Sequence, residues 1–506
     1  MTRNTNRLAL AAFALLSAAP LAAQPQPKLP PVRSIGTIFA RSEEPMSAVS
    51  AAVPLPGGKV LVNDVLMRRV ILFDSTLKNV TIVADSSSAT GNAYGARGGG
   101  LIAFGGDSAL FVDPASLSMM VINGNGELTT VRAVPRANEI NLLSGANGRA
   151  GFTPDGHLVY RGQARGRQAG ADGGRGGRQQ GAAAGGGDRG GDRGGDRGGD
   201  RGGRQAGVQM GGGPGGMSFV LPEQPDSAPI VRVNLETRAL DTLASFKIPK
   251  MDIKATQSPD GRMNVQTTIN PMPTTDDWAL LSDGTIALVR GHDFHVDWRA
   301  PDGNVTVGPK LPFEWQRLSD EDKQMVIDSS RTAIEKQRAE AQRMMQAAGG
   351  PMAFVQGGGA QQMIMTGGGG APPQRAAAAP APTAGATTGT APAAGATAGP
   401  NATGPGAGFQ IPPVNLISAN ELPDYRPPFN QQASLGDLDG NLWVRTSAAV
   451  GEEGSIYYVI TKQNEIIDRV QLPQGRQIAG FGRNGVVYLG FRDTEGKARL
   501  ELVRWK

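Results

Sequence analysis

The chain has no cysteine and only three histidines in 506 residues, and Phe, Trp and Tyr together make up 5% of it. Without cysteine there is no disulfide framework, no thiolate metal site and no acylated cysteine anchor. With His157, His292 and His295 as the whole histidine complement, a metal site would have to draw mainly on carboxylates. Beyond the N-terminus no apolar run approaches the roughly twenty residues of a membrane-spanning helix, so no transmembrane segment is expected. No Gly-x-Ser-x-Gly elbow and no phosphate loop in strand–helix context is present, which removes the commonest nucleophile and nucleotide motifs.

What is abundant is glycine, 72 residues, and proline, 36, and the excess is local. Residues 162–216 are nearly all Gly, Arg, Gln, Ala and Asp, with Asp188-Arg189-Gly190-Gly191 recurring as a four-residue repeat. Residues 347–408 are mostly Gly, Ala, Pro and Thr. Neither segment has enough large apolar side chains to offset the roughly 1–2 kcal/mol per residue that ordering a backbone costs, so both read as disordered insertions. The first holds nine Arg against five Asp, nearly the whole formal charge of +5. The remainder is close to neutral, and the Arg-Gly-Gly runs contain almost no aromatic side chain to stack on bases. Nucleic acid is therefore not an expected partner.

At the N-terminus Arg3 and Arg7 precede the uncharged stretch Leu8 to Ala23, which is too short to span a bilayer and ends in small residues. This is the pattern of a secretory signal peptide over residues 1–24, and it predicts a periplasmic or secreted protein. Between residues 319 and 347 the sequence predicts an inserted helix. Ser319 can cap it, Asp320, Glu321 and Asp322 stand at the positive end of its dipole, and Met325, Val326, Ile334 and Met344 form a thin apolar stripe.

One pattern recurs six times: a tight Gly-containing turn followed at once by an alternating apolar strand. The turns are Pro56-Gly57-Gly58, Gly105-Gly106-Asp107, Pro154-Asp155-Gly156, Ser282-Asp283-Gly284, Leu438-Asp439-Gly440 and Arg483-Asn484-Gly485. Asp-Gly and Asn-Gly between apolar runs suggest type I′ hairpins. A second hairpin follows most copies, and two hairpins make a four-stranded unit. The sixth unit stops one strand short, and Val32 to Phe39 can supply it and close the circle. The fold class read from this is all-β, a six-bladed β-propeller over residues 32–506 closed by its N-terminal strand. A β-sandwich or irregular β array is the competing architecture.

The Asp-Gly-x-Leu type turns and the Asp-centred second turn, as in Leu72-Phe73-Asp74, resemble the six-bladed superfamily of NHL-repeat and TolB-like propellers. The resemblance spans most of residues 32–311 and 421–506 and speaks to fold more than to function.

In such a unit the ends of the second strands and the connections between units share one face. Both insertions leave from it, and its rim would be Asn63, Asp64, Asp113, Arg161, Arg290, Arg445 and Arg492, with His292 beside Arg290. Several arginines there point to an anion or carboxylate site, whereas strand ends turning to solvent favour polar residues in any case. The leading reading is a monomeric, non-catalytic binding or scaffold protein of the cell envelope without a cofactor. Its partner would be a protein, peptide, glycan or small anionic ligand. The alternative implied by the resemblance is a propeller-type hydrolase or lyase, lactonase-like or streptogramin-lyase-like. It would hold a divalent metal in the central channel, with Asn63, Asp64 and Asp113 as the nearest ligands.

Overall fold

A computed structural model of the chain describes residues 29–87, 93–95, 98–144, 149–164, 209–211, 218–220, 225–250, 252–257, 263–347, 414–447 and 454–505. The expected signal peptide, residues 165–208 of the first insertion and residues 348–408 of the second lie outside these.

The described chain is mostly β and built of many small sheets. Six of them carry the repeats. The first is Val49–Pro54, Val60–Asp64, Arg69–Phe73 and Val80–Ala84, and the second is Gly100–Phe104, Ser108–Asp113, Ser118–Ile122 and Leu128–Ala133. The third is Gly151–Phe152, Leu158–Arg161, Ser227–Val233 and Leu240–Lys247, and the fourth is Asp277–Leu280, Ile286–Arg290, His295–Arg299 and Val305–Val307. The fifth has Phe429–Gly436, Leu442–Thr446, Ile456–Ile460 and Ile466–Gln471, and the sixth has Gln477–Phe481, Val486–Arg492 and Ala498–Arg504. Within each sheet these strands pair antiparallel in chain order.

The second strands are apolar at nearly every position because both of their faces are covered. Val60 and Val62 pack with Tyr488, Leu500 and Leu502 of the sixth sheet, while Leu61 between them packs with Phe111, Met120 and Ile122 of the second. The same division runs through the molecule. Leu110 and Val112 meet Tyr160 and Val231 of the third sheet, and Val159 and Ile230 meet Trp278 and Leu288 of the fourth. Phe294 and Val296 meet Phe429 and Tyr458 of the fifth, and Trp443 and Val459 meet Val487 and Trp505 of the sixth.

The turns differ from the type I′ expectation in part. Asn484 and Gly485 both have positive φ, as that turn requires, and so do the pairs Gly57-Gly58 and Gly105-Gly106. At the three Asp-Gly sites only the glycine, Gly156, Gly284 or Gly440, is left-handed. There the aspartate stays at negative φ, and a single left-handed glycine closes a longer loop.

The N-terminal segment also departs from the reading of one strand. Val32–Ser34 runs parallel to Ile466–Gln471 on the fifth sheet, and Ile38–Arg41 pairs antiparallel with Ala498–Arg504 on the sixth. Gly36 makes the crossing possible: its φ is +123°, and a Cβ there would lie 2.4 Å from the carbonyl oxygen of Arg504. Ile35 beside it is buried in the core that the fifth and sixth sheets share.

Four connections carry additional structure. The 3-10 helix Ala137–Leu143 lies between the second and third sheets, and Gln209–Gly211 pairs antiparallel with Ser218–Val220, so residues 209–211 depart from the expected disordered insertion. Asp252–Gln257 and Met263–Ile269 form a hairpin before the fourth sheet, and Val414–Leu416 joins it in parallel before the fifth. The helix Asp320–Ala347 begins where expected, with the Ser319 hydroxyl accepting from the Asp322 amide at 3.1 Å and the Asp322 carboxylate accepting from the Ser319 amide at 2.9 Å. Its anchoring face includes Val326 of the predicted stripe but centres on a residue outside it. Ile327 is buried against Met272, Leu318 and Leu422, and Lys323 one turn earlier bonds Asp424 at 2.7 Å, while Met325 stays exposed.

Candidate functional site

The end of each second strand lies beside the start of the first strand, which defines the upper end of each sheet. All the added structure, the hairpin and the helix, leaves from these ends. In the first, second and fourth sheets the second strand passes to the third through four residues, and the last of them, Arg68, Leu117 or Phe294, has positive φ.

The acidic rim residues serve this turn. Asp113 accepts from the amides of Ala115 and Ser116, each at 3.2 Å, and from the Ser116 hydroxyl at 2.6 Å. Asp64 accepts from the amides of Ser47 and Ala48 at 3.1 Å and of Met67 at 3.5 Å, and from the Arg69 guanidinium at 3.1 Å. Asn63 is wholly buried: its amide donates to the Gly99 carbonyl at 2.9 Å, and its oxygen accepts from the Tyr94 hydroxyl at 3.0 Å. These side chains satisfy turn and strand backbone that would otherwise be buried without partners.

The basic rim residues separate into two kinds. Arg290 is clamped, with Nε donating to Asp297 at 2.7 Å and Nη1 to Asp276 at 2.8 Å. Burial opposes its charge, but the two carboxylates outweigh burial and raise its pKa. Arg161 lies over the Phe246 ring at 5.8 Å, and burial lowers its pKa against the influence of Asp277. Arg492 is exposed and donates to the Gly496 carbonyl in its own hairpin at 2.8 Å. His292 is exposed, while His295 lies between Asp293, at 2.6 Å, and Asp297, at 3.2 Å.

Arg445 differs from Arg290, for it makes no ion pair among the described residues. It stands directly opposite Tyr457 on the fifth sheet. Sequence reasoning missed its neighbour Arg149, which sits two residues ahead of the first strand of the third sheet. That guanidinium reaches the first strand of the sixth sheet, donating to the carbonyls of Ile478 at 2.7 Å and Ala479 at 2.9 Å. Burial lowers its pKa, and Tyr457 is the one residue whose charge bears on it. Tyr457 itself is buried, which raises its phenol pKa, while Arg445, Arg149 and the Ile478 backbone pull the other way. Three sheets thus bring two cations and a phenol together, and among the described residues no carboxylate acts on either Tyr457 or Arg149.

Asp277, at the start of the fourth sheet, is a second residue that strand-end reasoning passed over. It accepts from the Ser434 amide at 2.8 Å, and burial pushes its carboxyl up to about 6 against that hydrogen bond. Its one sequence signal is an acid opening an otherwise apolar strand.

Among the described residues no three of His, Asp and Glu converge as a metal ligand set. Asn63, Asp64 and Asp113 spend their oxygens on protein hydrogen bonds and do not fit the divalent metal of the enzymatic alternative. No described helix is long and apolar enough to cross a membrane.

No protein-family model matches the chain, and no curated protein matches it. Solved structures do. A virginiamycin B lyase from Staphylococcus aureus is 8% identical, with 90% of this chain and 95% of that one covered and a TM-score of 0.32. A calcium-binding regucalcin from Agrobacterium tumefaciens is 11% identical, covering 94% and 97%, with a TM-score of 0.34. A gluconolactonase from Xanthomonas campestris is 9% identical, covering 95% and 99%, with a TM-score of 0.34. At such values the likeness says nothing of activity.

Proposed function

We propose that the six four-stranded sheets are the blades of one closed six-bladed β-propeller, exported from the cytoplasm, that binds a small ligand at the upper end of its central axis. Six hydrophobic cores, each shared by two successive sheets and the last by the sixth and the first, support the closed ring. The pairing of Ile38–Arg41 with the sixth sheet supports closure by the N-terminal segment.

The observation that carries the binding reading is Arg149. The third and sixth blades of a six-membered ring are opposite, so a side chain joining them crosses the axis. It places a guanidinium, a recognition group, where blades converge and loops can vary. Hydrogen exchange in the presence of sugars, peptides, carboxylates, phosphates and lactones tests this. A ligand should protect residues near 149–151, 445–447 and 477–480. Protection confined to the opposite end, at the turns of Gly156, Gly284 and Gly440, would overturn it.

A second reading, a hydrolase or lyase, has Asp277 in its favour. A carboxyl with a pKa of about 6 can exchange a proton near neutral pH, as a general acid or base must. Lactone hydrolysis that is abolished in Asp277→Asn, with the fold intact, would establish that reading over simple binding.

A further inference from the structure

We infer that Arg445, Arg149 and Tyr457 form a receptor for an oxyanion group, a carboxylate or a phosphate, carried by the small ligand. The inference rests on the reading that the upper end of the axis binds a ligand, and it names the chemistry that end would take.

The argument begins with the register. Arg445 and Tyr457 are directly opposed on neighbouring antiparallel strands, so both side chains leave the same face of the fifth sheet. That face looks toward the sixth sheet, because Trp443 and Tyr457 belong to the core the two share. The sixth sheet presents Ile478 there, in the same core as Tyr457. The Ile478 carbonyl also receives Arg149 at 2.7 Å. One residue of the sixth sheet therefore packs in the core of Tyr457 and accepts from the Arg149 guanidinium, which brings Arg149 near Tyr457.

The charge count follows. Two positive groups flank one neutral phenol, and among the described residues no carboxylate is one of the charges that act on Tyr457 and Arg149. Several other partly buried arginines are neutralised: Arg290 has Asp276 and Asp297, Arg69 has Asp64 and Glu44, and Arg476 has Glu501. Arg149 uses two of its five N–H groups on carbonyls, which leaves donors and a full charge. The Arg149 side chain is exposed and so open to a ligand, and an oxyanion would supply both a counter-charge and acceptors for the guanidinium forks. The phenol hydroxyl adds a neutral donor.

Calorimetry of the full chain with inorganic phosphate and with acetate, each at two salt concentrations, tests the receptor. Saturable binding of one probe per chain is expected, weaker at higher salt. Arg445→Gln should weaken it by about tenfold or more, Arg149→Gln similarly, and Tyr457→Phe by less. Arg445→Lys, which keeps the charge but not the fork, should fall between wild type and Arg445→Gln. The probe bound more tightly identifies the group. Should Arg149→Gln fail to fold, Arg445→Gln carries the test alone, since Arg445 is only half-buried. Unchanged affinity in Arg445→Gln, or no binding of either probe at tens of millimolar, overturns the inference. In those cases exchange protection by an uncharged ligand at the same residues would leave the ligand-binding reading standing without it.

Discussion

Arg290 and Arg445 close the second strands of successive sheets, and the fold treats them in opposite ways. Arg290 meets two aspartates, one from the segment ahead of its sheet and one from the adjacent strand. In the fifth sheet the place of Asp297, opposite Leu288, is taken by Val459, opposite Trp443. Directly across the strand pair, Tyr457 faces Arg445 where His295 faces Arg290. A repeat thus supplies the same cation twice, and the residues around it decide whether the charge is spent on structure or kept for a ligand.

The contrast gives a graded set of outcomes. Arg290→Gln should cost about 3 kcal/mol, because it strands two nearly buried carboxylates, and urea unfolding at neutral pH measures it. Asp277→Asn probes the same region by pH. The folded pKa of about 6 stands above the usual carboxylate value, so the native state holds the proton more tightly. Wild-type stability from this group is present in acid and is lost as pH rises from about 4 to about 6, by about 3 kcal/mol for a shift of roughly two units. Denaturation series at pH 4 and pH 7.5 should therefore show Asp277→Asn gaining on the wild type at the higher pH.

Asp113→Ala should cost about 1–2 kcal/mol, since the amides of Ala115 and Ser116 lose their acceptor, and a thermal melt will register it. Arg445→Gln is expected to change stability least, by about 0.5 kcal/mol or less. If it cost as much as Arg290→Gln, the two arginines would be equivalent structural residues and the difference between the sheets would carry no function.

Much of the fold was legible residue by residue. The six glycine turns mark six first-to-second-strand connections, and the alternating runs after them are the second strands. Both insertions were placed on the same face from chain order alone. The candidate site was legible only in part. Arg445 was marked as a rim residue, but so were Arg290 and Arg161, and nothing local separates an arginine that will meet two aspartates from one that will not. Arg149 has no signal at all, because its partners are carbonyls more than three hundred residues away. The helix shows the same limit: an apolar stripe drawn from Met325, Val326, Ile334 and Met344 caught Val326 but missed Ile327, since the docking surface of Met272, Leu318 and Leu422 comes from other segments.

By itself the sequence determined what local chemistry can determine. Left-handed φ at a hairpin selects glycine or asparagine, strands covered on both faces become continuous apolar runs, and a segment without large apolar side chains has nothing to bury. Tertiary structure alone decided the rest. It splits the N-terminal segment between two sheets at Gly36, where the close carbonyl of Arg504 leaves no room for a side chain. It also forces the same left-handed turn on residues as different as Arg68, Leu117 and Phe294. It carries Arg149 from the third sheet to the sixth. Each of these depends on an atom distant in the chain, and only the folded chain brings that atom near.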